Sequence, residues 1–240
     1  MSDRGGTTDR AAHRAAKSAT NCATNWATFI LANTRLLSPP LVPEIRLHLA
    51  EESLPIWQKT EDELGAMNVP PPYWAFAWAG GQAVARYLLD EAGLVAGRRV
   101  LDLGAGSGLT AIAAIIAGAS EVLAADIDAI AGVAVGLNAA ANGVQVGFTA
   151  DDLLAEPALP GKGFFDTIIV GDMFYERQLA DHLLAFIEAA VVRGSVIVIG
   201  DPQRSYFPRD RFGRIAEYQV PVTRELEDSE IKRTAVWRLG

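Results

Sequence analysis

The chain has 240 residues, half of them hydrophobic, which is enough for one full α/β core and too few for two enzyme domains of ordinary size. A net charge of −8 and a pI near 4.9 argue against a surface that tracks nucleic-acid phosphates, because such binding is driven mainly by cations. The one cysteine, Cys22, cannot form an intrachain disulfide and fits a reducing compartment, and no apolar run approaches the ~20 residues that span a bilayer.

Residues 1–28 read as a disordered tail: Arg4, Arg10, Arg14 and Lys17 lie among Ala, Ser and Thr, but Asp3, Asp9 and the lack of an apolar stretch match no presequence class. Residues 29–95 read as an N-terminal extension and first helix packed on the core, and residues 96–240 as the core itself. Trp26 to Leu37 is expected to be helical, ended by Pro39, Pro40 and Pro43. In Glu44 to Ala50, Ile45, Leu47 and Leu49 alternate with polar residues as in a half-buried strand. After the Pro70-Pro71-Pro72 punctuation and an aromatic stretch, Gly80-Gly81 opens a predicted helix through about Glu91.

From Arg99 onward, short β-rich runs alternate with helical patterns, the signature of successive βαβ units. The runs are Val100 to Leu103, Val122 to Ala125, Val144 to Thr149, Thr167 to Val170 and Val196 to Ile199. Helices are predicted over Gly108 to Ala117, Ala129 to Ala141 and Arg177 to Val191. Several runs are apolar throughout, as parallel strands covered on both faces must be. Ile215 to Val222 and Ile231 to Leu239 have no helix between them and are expected to pair as an antiparallel hairpin on the sheet edge. The predicted fold class is a Rossmann-like α/β sheet, mostly parallel, with helices on both faces.

The first of these strands runs into Leu101-Asp-Leu-Gly104-Ala105-Gly106-Ser-Gly108, where glycines permit positive φ and close backbone approach to a ligand. The spacing is GxGxG, unlike the GxGxxG of dinucleotide sites, and no Walker lysine follows. Asp102, Asp126, Asp151 and Asp172 each fall at or just past the end of a successive predicted strand, where an open parallel sheet binds its ligand. Four carboxylates would repel a pyrophosphate but suit a ligand bearing a sulfonium and an ammonium group, which is S-adenosylmethionine. Asp126 is placed to accept both ribose hydroxyls and Asp151 the adenine amino group. The competing reading of any such Asp is a helix cap or turn residue; it stays open for Asp102 and Asp201 and is preferred for Asp128, while Asp152 competes with Asp151. Trp78, beside Gly80-Gly81, could wall the methionine arm, whereas Trp74 and Phe76, and also Trp26, Trp57 and Trp237, read as packing residues. His13, His48 and His182 show no ligand spacing, so no metal is expected.

At these residues the sequence resembles the seven-strand class I methyltransferases and, more narrowly, the electron-transfer-flavoprotein β-subunit lysine methyltransferase family. The likeness is carried by Tyr73-Trp-Ala-Phe-Ala-Trp78-Ala-Gly-Gly-Gln82, Val100 to Gly108, Ala125-Asp-Ile-Asp128, Gly171-Asp-Met-Phe-Tyr175 and Ile199-Gly-Asp-Pro202, and runs from about Phe29 to the C-terminus. Ala79 departs from it, standing where relatives often have proline. The resemblance implies a seven-stranded sheet and S-adenosylmethionine held by Trp78, Gly104, Ala105, Gly106, Gly108, Asp126, Ile127, Asp151 and Asp172. It also implies a lysine-binding lip made of Asp172, Phe174 and Tyr175, with Asp172 accepting a hydrogen bond from the amine and the two rings flanking the lysine stem. The structural alternative for Asp172 is a cap on the helix that begins near Glu176. The partner so implied is the β subunit of electron transfer flavoprotein, with neither nucleic acid nor membrane, in a bacterial cytoplasm or, for a eukaryotic chain, the mitochondrial matrix. The competing function is N-methylation of a small amine or nicotinamide-type pyridine. An adenine methylase would carry Pro-Pro-aromatic after the fourth strand, and a nicotinamide-dependent oxidoreductase GxGxxG; neither is present. A cofactor-binding protein without catalysis is disfavoured by the intact glycine loop and Asp172.

Overall fold

A computed structural model describes residues 25–50, 71–155, 165–222 and 230–240. Residues 25–33 are helical (α1) and lead into a small antiparallel pair, β1 (Arg35–Leu37) with β2 (Leu47–Leu49). The core then runs α2 (Ala79–Asp90), β3 (Arg99–Leu103), α3 (Leu109–Ile116), β4 (Glu121–Ala125), α4 (Ala129–Ala141) and β5 (Gly147–Thr149). It continues with β6 (Thr167–Gly171), α5 (Arg177–Val192), β7 (Val196–Asp201), β8 (Gly213–Pro221) and β9 (Ile231–Leu239). Seven strands form one sheet in the order β5-β4-β3-β6-β7-β9-β8. The first five are parallel, and β9 runs antiparallel to both β7 and β8, so the hairpin closes one edge as the sequence predicts.

The apolar strands are explained by cover on both faces. Leu101, Leu103, Ile168, Val170, Ile197 and Ile199 point into one core with Leu183, Phe186 and Ile187 of α5. Their alternates Val100, Ile169 and Val198 point into a second core with Ala83, Val84 and Leu88 of α2 and Ala111 and Ala114 of α3. Each fully buried Val, Leu or Ile among them contributes about 1.5–3 kcal/mol relative to exposure. Backbone approach is close where the strand ends meet α2: a Cβ on Gly80 would lie 2.7 Å from the Asp172 nitrogen, and one on Gly200 would strike the Gly80 carbonyl. These small residues let the helix N-terminus sit against the ends of β6 and β7.

Two local expectations are corrected. The helix expected over Trp26 to Leu37 stops at residue 33, because Asn33 Nδ2 donates to the Phe29 carbonyl (2.8 Å) and Thr34 Oγ1 to that of Ile30 (2.6 Å). Those side chains satisfy the last-turn carbonyls and free Arg35–Leu37 to pair with β2. The strand expected over Val144 to Thr149 is only Gly147–Thr149, since the Val144 N–H is still bonded to the Ala139 carbonyl at the end of α4. Of the predicted tail, residues 25–28 are helical and 1–24 lie outside the described residues, as do Cys22, His13 and Trp57. Among the described residues no helix is long and apolar enough to cross a membrane.

Candidate active site

The parallel strands deliver their C-terminal ends to one crevice of about 740 Å³. On the β3 side Gly104 and Gly106 line it, both at positive φ (68° and 50°), and a Cβ on Gly104 would strike Met173 Sδ. Side chains are therefore excluded where the turn faces the crevice. Ala105 and Gly108, expected in the same role, do not line it: Ala105 is buried in the second core, and Gly108 at φ 77° caps α3 against Val135.

Asp126 leaves β4 half-buried, its Oδ2 accepting the Gly106 N–H (2.9 Å) and its Oδ1 the Asp128 N–H (3.0 Å). One carboxylate thus ties the glycine turn to the next strand end, with a second lone pair on each oxygen left for a ligand. Ile127 is 75% exposed and also lines the crevice, an unusual setting for a bare isoleucine side chain. Asp151 lies at its rim and accepts from Thr149 Oγ1 at 2.7 Å. Asp128 caps α4 through the Ile130 N–H (2.8 Å), as read from sequence, and Asp152 accepts from the Leu154 and Ala155 N–H groups.

The two open aspartates are now separated. Asp102 is 1% exposed and does not line the crevice; Thr110 Oγ1 donates to its Oδ2 (2.6 Å), its Oδ1 meets no well-formed hydrogen bond among the described residues, and burial pushes its pKa up to about 7. Asp201 is a turn residue, its Oδ1 accepting the N–H groups of Gln203 and Arg204.

Asp172 sits at the crevice with φ 63°, a left-handed conformation that Asp tolerates better than most residues. Its side chain is almost wholly buried and both oxygens are engaged: Oδ2 accepts the Gly80 N–H at 3.1 Å, and Oδ1 accepts from Arg204 Nε at 2.6 Å in an ion pair. Asp172 therefore caps a helix, but it is α2 and not the helix after Glu176, whose own N-cap residue, Glu176, makes no side-chain capping bond. Nothing in the sequence marks Arg204, and Gly80 and Tyr73 stand out there as a helix opening and as part of an aromatic stretch, not as site residues. Gly80 is remote in the chain from Asp172, and Arg204 reaches it only because the Asp201 turn folds back.

Beside Asp172 the mouth is aromatic. Tyr73 lies 5.9 Å from Trp78 and 6.3 Å from Tyr175 between ring centres, and Trp78 Nε1 donates to the Tyr73 carbonyl at 3.0 Å. Tyr73 and Tyr175 are half-exposed, and the Tyr175 phenol is pushed above its usual pKa by burial, then by Tyr73 and nearby carboxylates. Phe174, expected to flank a lysine stem with Tyr175, is instead a core residue: it is fully buried and packs edge-on against Phe207 at 5.0 Å. Trp237 packs against the core as read, and Trp26 meets Phe29 edge-on, whereas Trp74 is buried among core residues and also lines the crevice.

A glycine turn after β3, an acidic residue after β4 and an antiparallel terminal hairpin on a sheet of this order define the class I methyltransferase fold. The same fold is seen in the crystal structure of SMU.776 complexed with SAH, at a TM-score of 0.50 and 15% identity over 69% of this chain and 50% of that one. The present chain thus matches half of that structure's length. Residues 86–193 match the family model for Ribosomal protein L11 methyltransferase (PrmA). The electron transfer flavoprotein beta subunit lysine methyltransferase of Mus musculus is 39% identical over 216 residues, 87% of this chain and 82% of the relative. That of Xenopus laevis is also 39% identical, over 88% and 85%. The chain belongs to the electron transfer flavoprotein beta subunit lysine methyltransferase family, and so to the S-adenosylmethionine-dependent methyltransferases.

Proposed function

We propose that this protein transfers a methyl group from S-adenosylmethionine to a lysine amine of the electron transfer flavoprotein β subunit. The observation that carries the reading is the charge of the crevice, where, among the described residues, Asp126, Asp128, Asp151, Asp152 and Asp172 face one arginine, Arg204, and one histidine, His182. That balance suits a ligand and a target that are both cationic in water. When bound, S-adenosylmethionine supplies an electrophilic methyl on a sulfonium, a leaving group that needs no acid catalysis.

The chain's own residues then have three tasks. Asp126 would take the ribose hydroxyls on the lone pairs that Gly106 and Asp128 leave open, with Gly104 and Gly106 admitting the ligand close to the backbone and Trp78, Ile127 and Asp151 bounding it. Tyr73, Tyr175 and Trp78 form an aromatic mouth that would cover the apolar stem of a lysine and exclude water. Asp172 would accept a hydrogen bond from the amine and aim its lone pair, since each of its oxygens has one acceptor position beyond those used by Gly80 and Arg204. The bound cofactor would supply the methyl and keep the carbon–sulfur electron pair as a neutral thioether, and the proton of the amine would pass to water or to Asp172. A reducing compartment, the bacterial cytoplasm or the mitochondrial matrix, belongs to the same proposal and is supported by the lone cysteine.

Half-exposed Tyr73 and Tyr175 favour a long side chain from another protein over a small enclosed amine. The test is incubation with methyl-labelled S-adenosylmethionine and either cell extract or purified β subunit. Label on a lysine of that subunit is expected. Label confined to a small-molecule fraction, such as a methylated pyridine, would replace this reading with the small-amine one.

A further inference from the structure

We propose that Arg204 is a positioning residue for the methyl-accepting amine: its guanidinium neutralises Asp172 and fixes the carboxylate, so that the amine is bound without being held as an ammonium. The inference rests on the function proposed above. A carboxylate alone would be a poor partner for a nucleophilic nitrogen, because an adjacent anion stabilises the protonated amine, which cannot attack. Here that anion is compensated. Arg204 Nε lies 2.6 Å from Asp172 Oδ1, the Gly80 N–H holds Oδ2 at 3.1 Å, and the αL backbone of Asp172 fixes the direction in which the carboxylate is presented.

The arrangement is built from several elements. Asp201 at the end of β7 accepts the N–H groups of Gln203 (2.8 Å) and Arg204 (3.1 Å), which turns the chain so that Arg204 reaches back to the end of β6. Gln203 takes a positive φ of 72° in that turn. Arg204 is the one Arg or Lys among the described residues that line the crevice. Asp126 from β4, Tyr175 from the turn before α5 and His182 from α5 share the crevice with Asp172, and Asp201 stands behind Arg204. Burial and the nearby Asp172 push the Asp201 pKa up to about 6, so at neutral pH Asp201 adds to the negative field that Arg204 offsets. Without the guanidinium, Asp172 and Asp201 would both act on the amine uncompensated.

The experiment measures kcat from pH 6 to 9.5 with electron transfer flavoprotein β subunit and saturating S-adenosylmethionine, for the wild type, Arg204→Met and Arg204→Lys. The melting temperature and S-adenosylhomocysteine affinity are measured on the same preparations. For Arg204→Met the acidic limb of kcat should move up by about one pH unit, the scale of a lost neighbouring charge, with turnover at pH 7 lower by about tenfold and product affinity within about twofold. Arg204→Lys keeps the charge but not the fork, so its limb should stay at the wild-type position while kcat falls. If Arg204→Met does not fold, the lysine variant decides: unchanged kcat overturns the proposal, and reduced kcat with an unmoved limb supports it. Variants that lose only melting temperature and leave limb and kcat unmoved overturn it as well. A wild type that methylates no protein lysine overturns both this inference and the proposed function, whereas an active wild type with an unmoved Arg204→Met limb overturns the inference alone.

Discussion

Replacing Asp172 by Asn tests how far one carboxylate unites fold and chemistry. Its two oxygens accept from two donors, Arg204 Nε at 2.6 Å and the Gly80 N–H at 3.1 Å. An Asn side chain has one acceptor oxygen, so its NH2 must face either the guanidinium or the Gly80 N–H, donor against donor. The left-handed backbone at φ 63° suits Asn as well as Asp, so no conformational cost is added. A lost charge-assisted hydrogen bond costs about 1.5–3 kcal/mol, and stranding one member of a buried ion pair about 3–5 kcal/mol. The Arg204 side chain is 24% exposed and can turn partly to water, so we expect a cost at or below the bottom of the ion-pair range, about 2–3 kcal/mol. For a domain of this size that is a fall in melting temperature of roughly 4–12 °C. Methyl transfer should fall by at least about 10²-fold at a temperature where the variant is still folded. Thermal melts, urea titration and turnover are read on one preparation. An unchanged urea midpoint would refute the two-donor clamp, and near-normal turnover from the folded variant would refute the amine-positioning role.

Asp126→Ala should weaken S-adenosylhomocysteine binding by about 1.5–3 kcal/mol, since the change removes a charged acceptor and releases Gly106; unchanged affinity by calorimetry would remove Asp126 from the ligand site. Asp102 binds its proton more tightly when folded, its pKa rising from 3.8 to about 7, so wild-type stability should decline as pH climbs through that window. Asp102→Asn should flatten the decline, and equal slopes of urea midpoint against pH for the two proteins would count against the shift.

What could be read before the structure divides along a physical line. The order of strands and helices from Arg99 onward was legible because two-sided burial demands apolar runs and because local capping is written locally. α4 begins at Ala129 as predicted, one residue after Asp128, whose carboxylate accepts the Ile130 N–H. β1 was not legible, since Arg35–Leu37 becomes a strand only through pairing with Leu47–Leu49. The crevice shows the same division. That Asp126 and Asp172 face it follows from their places at strand ends. Which ring of Met173-Phe174-Tyr175 turns inward does not, because adjacent turn residues of similar character carry no period; Phe207 beneath the turn decides it by taking up Phe174 and leaving Tyr175 half-exposed. The state of Asp172 was least accessible of all. It depends on Gly80, 92 residues earlier, and on Arg204, 32 residues later, neither of which has any marked spacing to it. A carboxylate read as a lone acceptor at a strand end is thus one corner of a three-element junction. Its chemistry is set by groups that only the closed fold brings together.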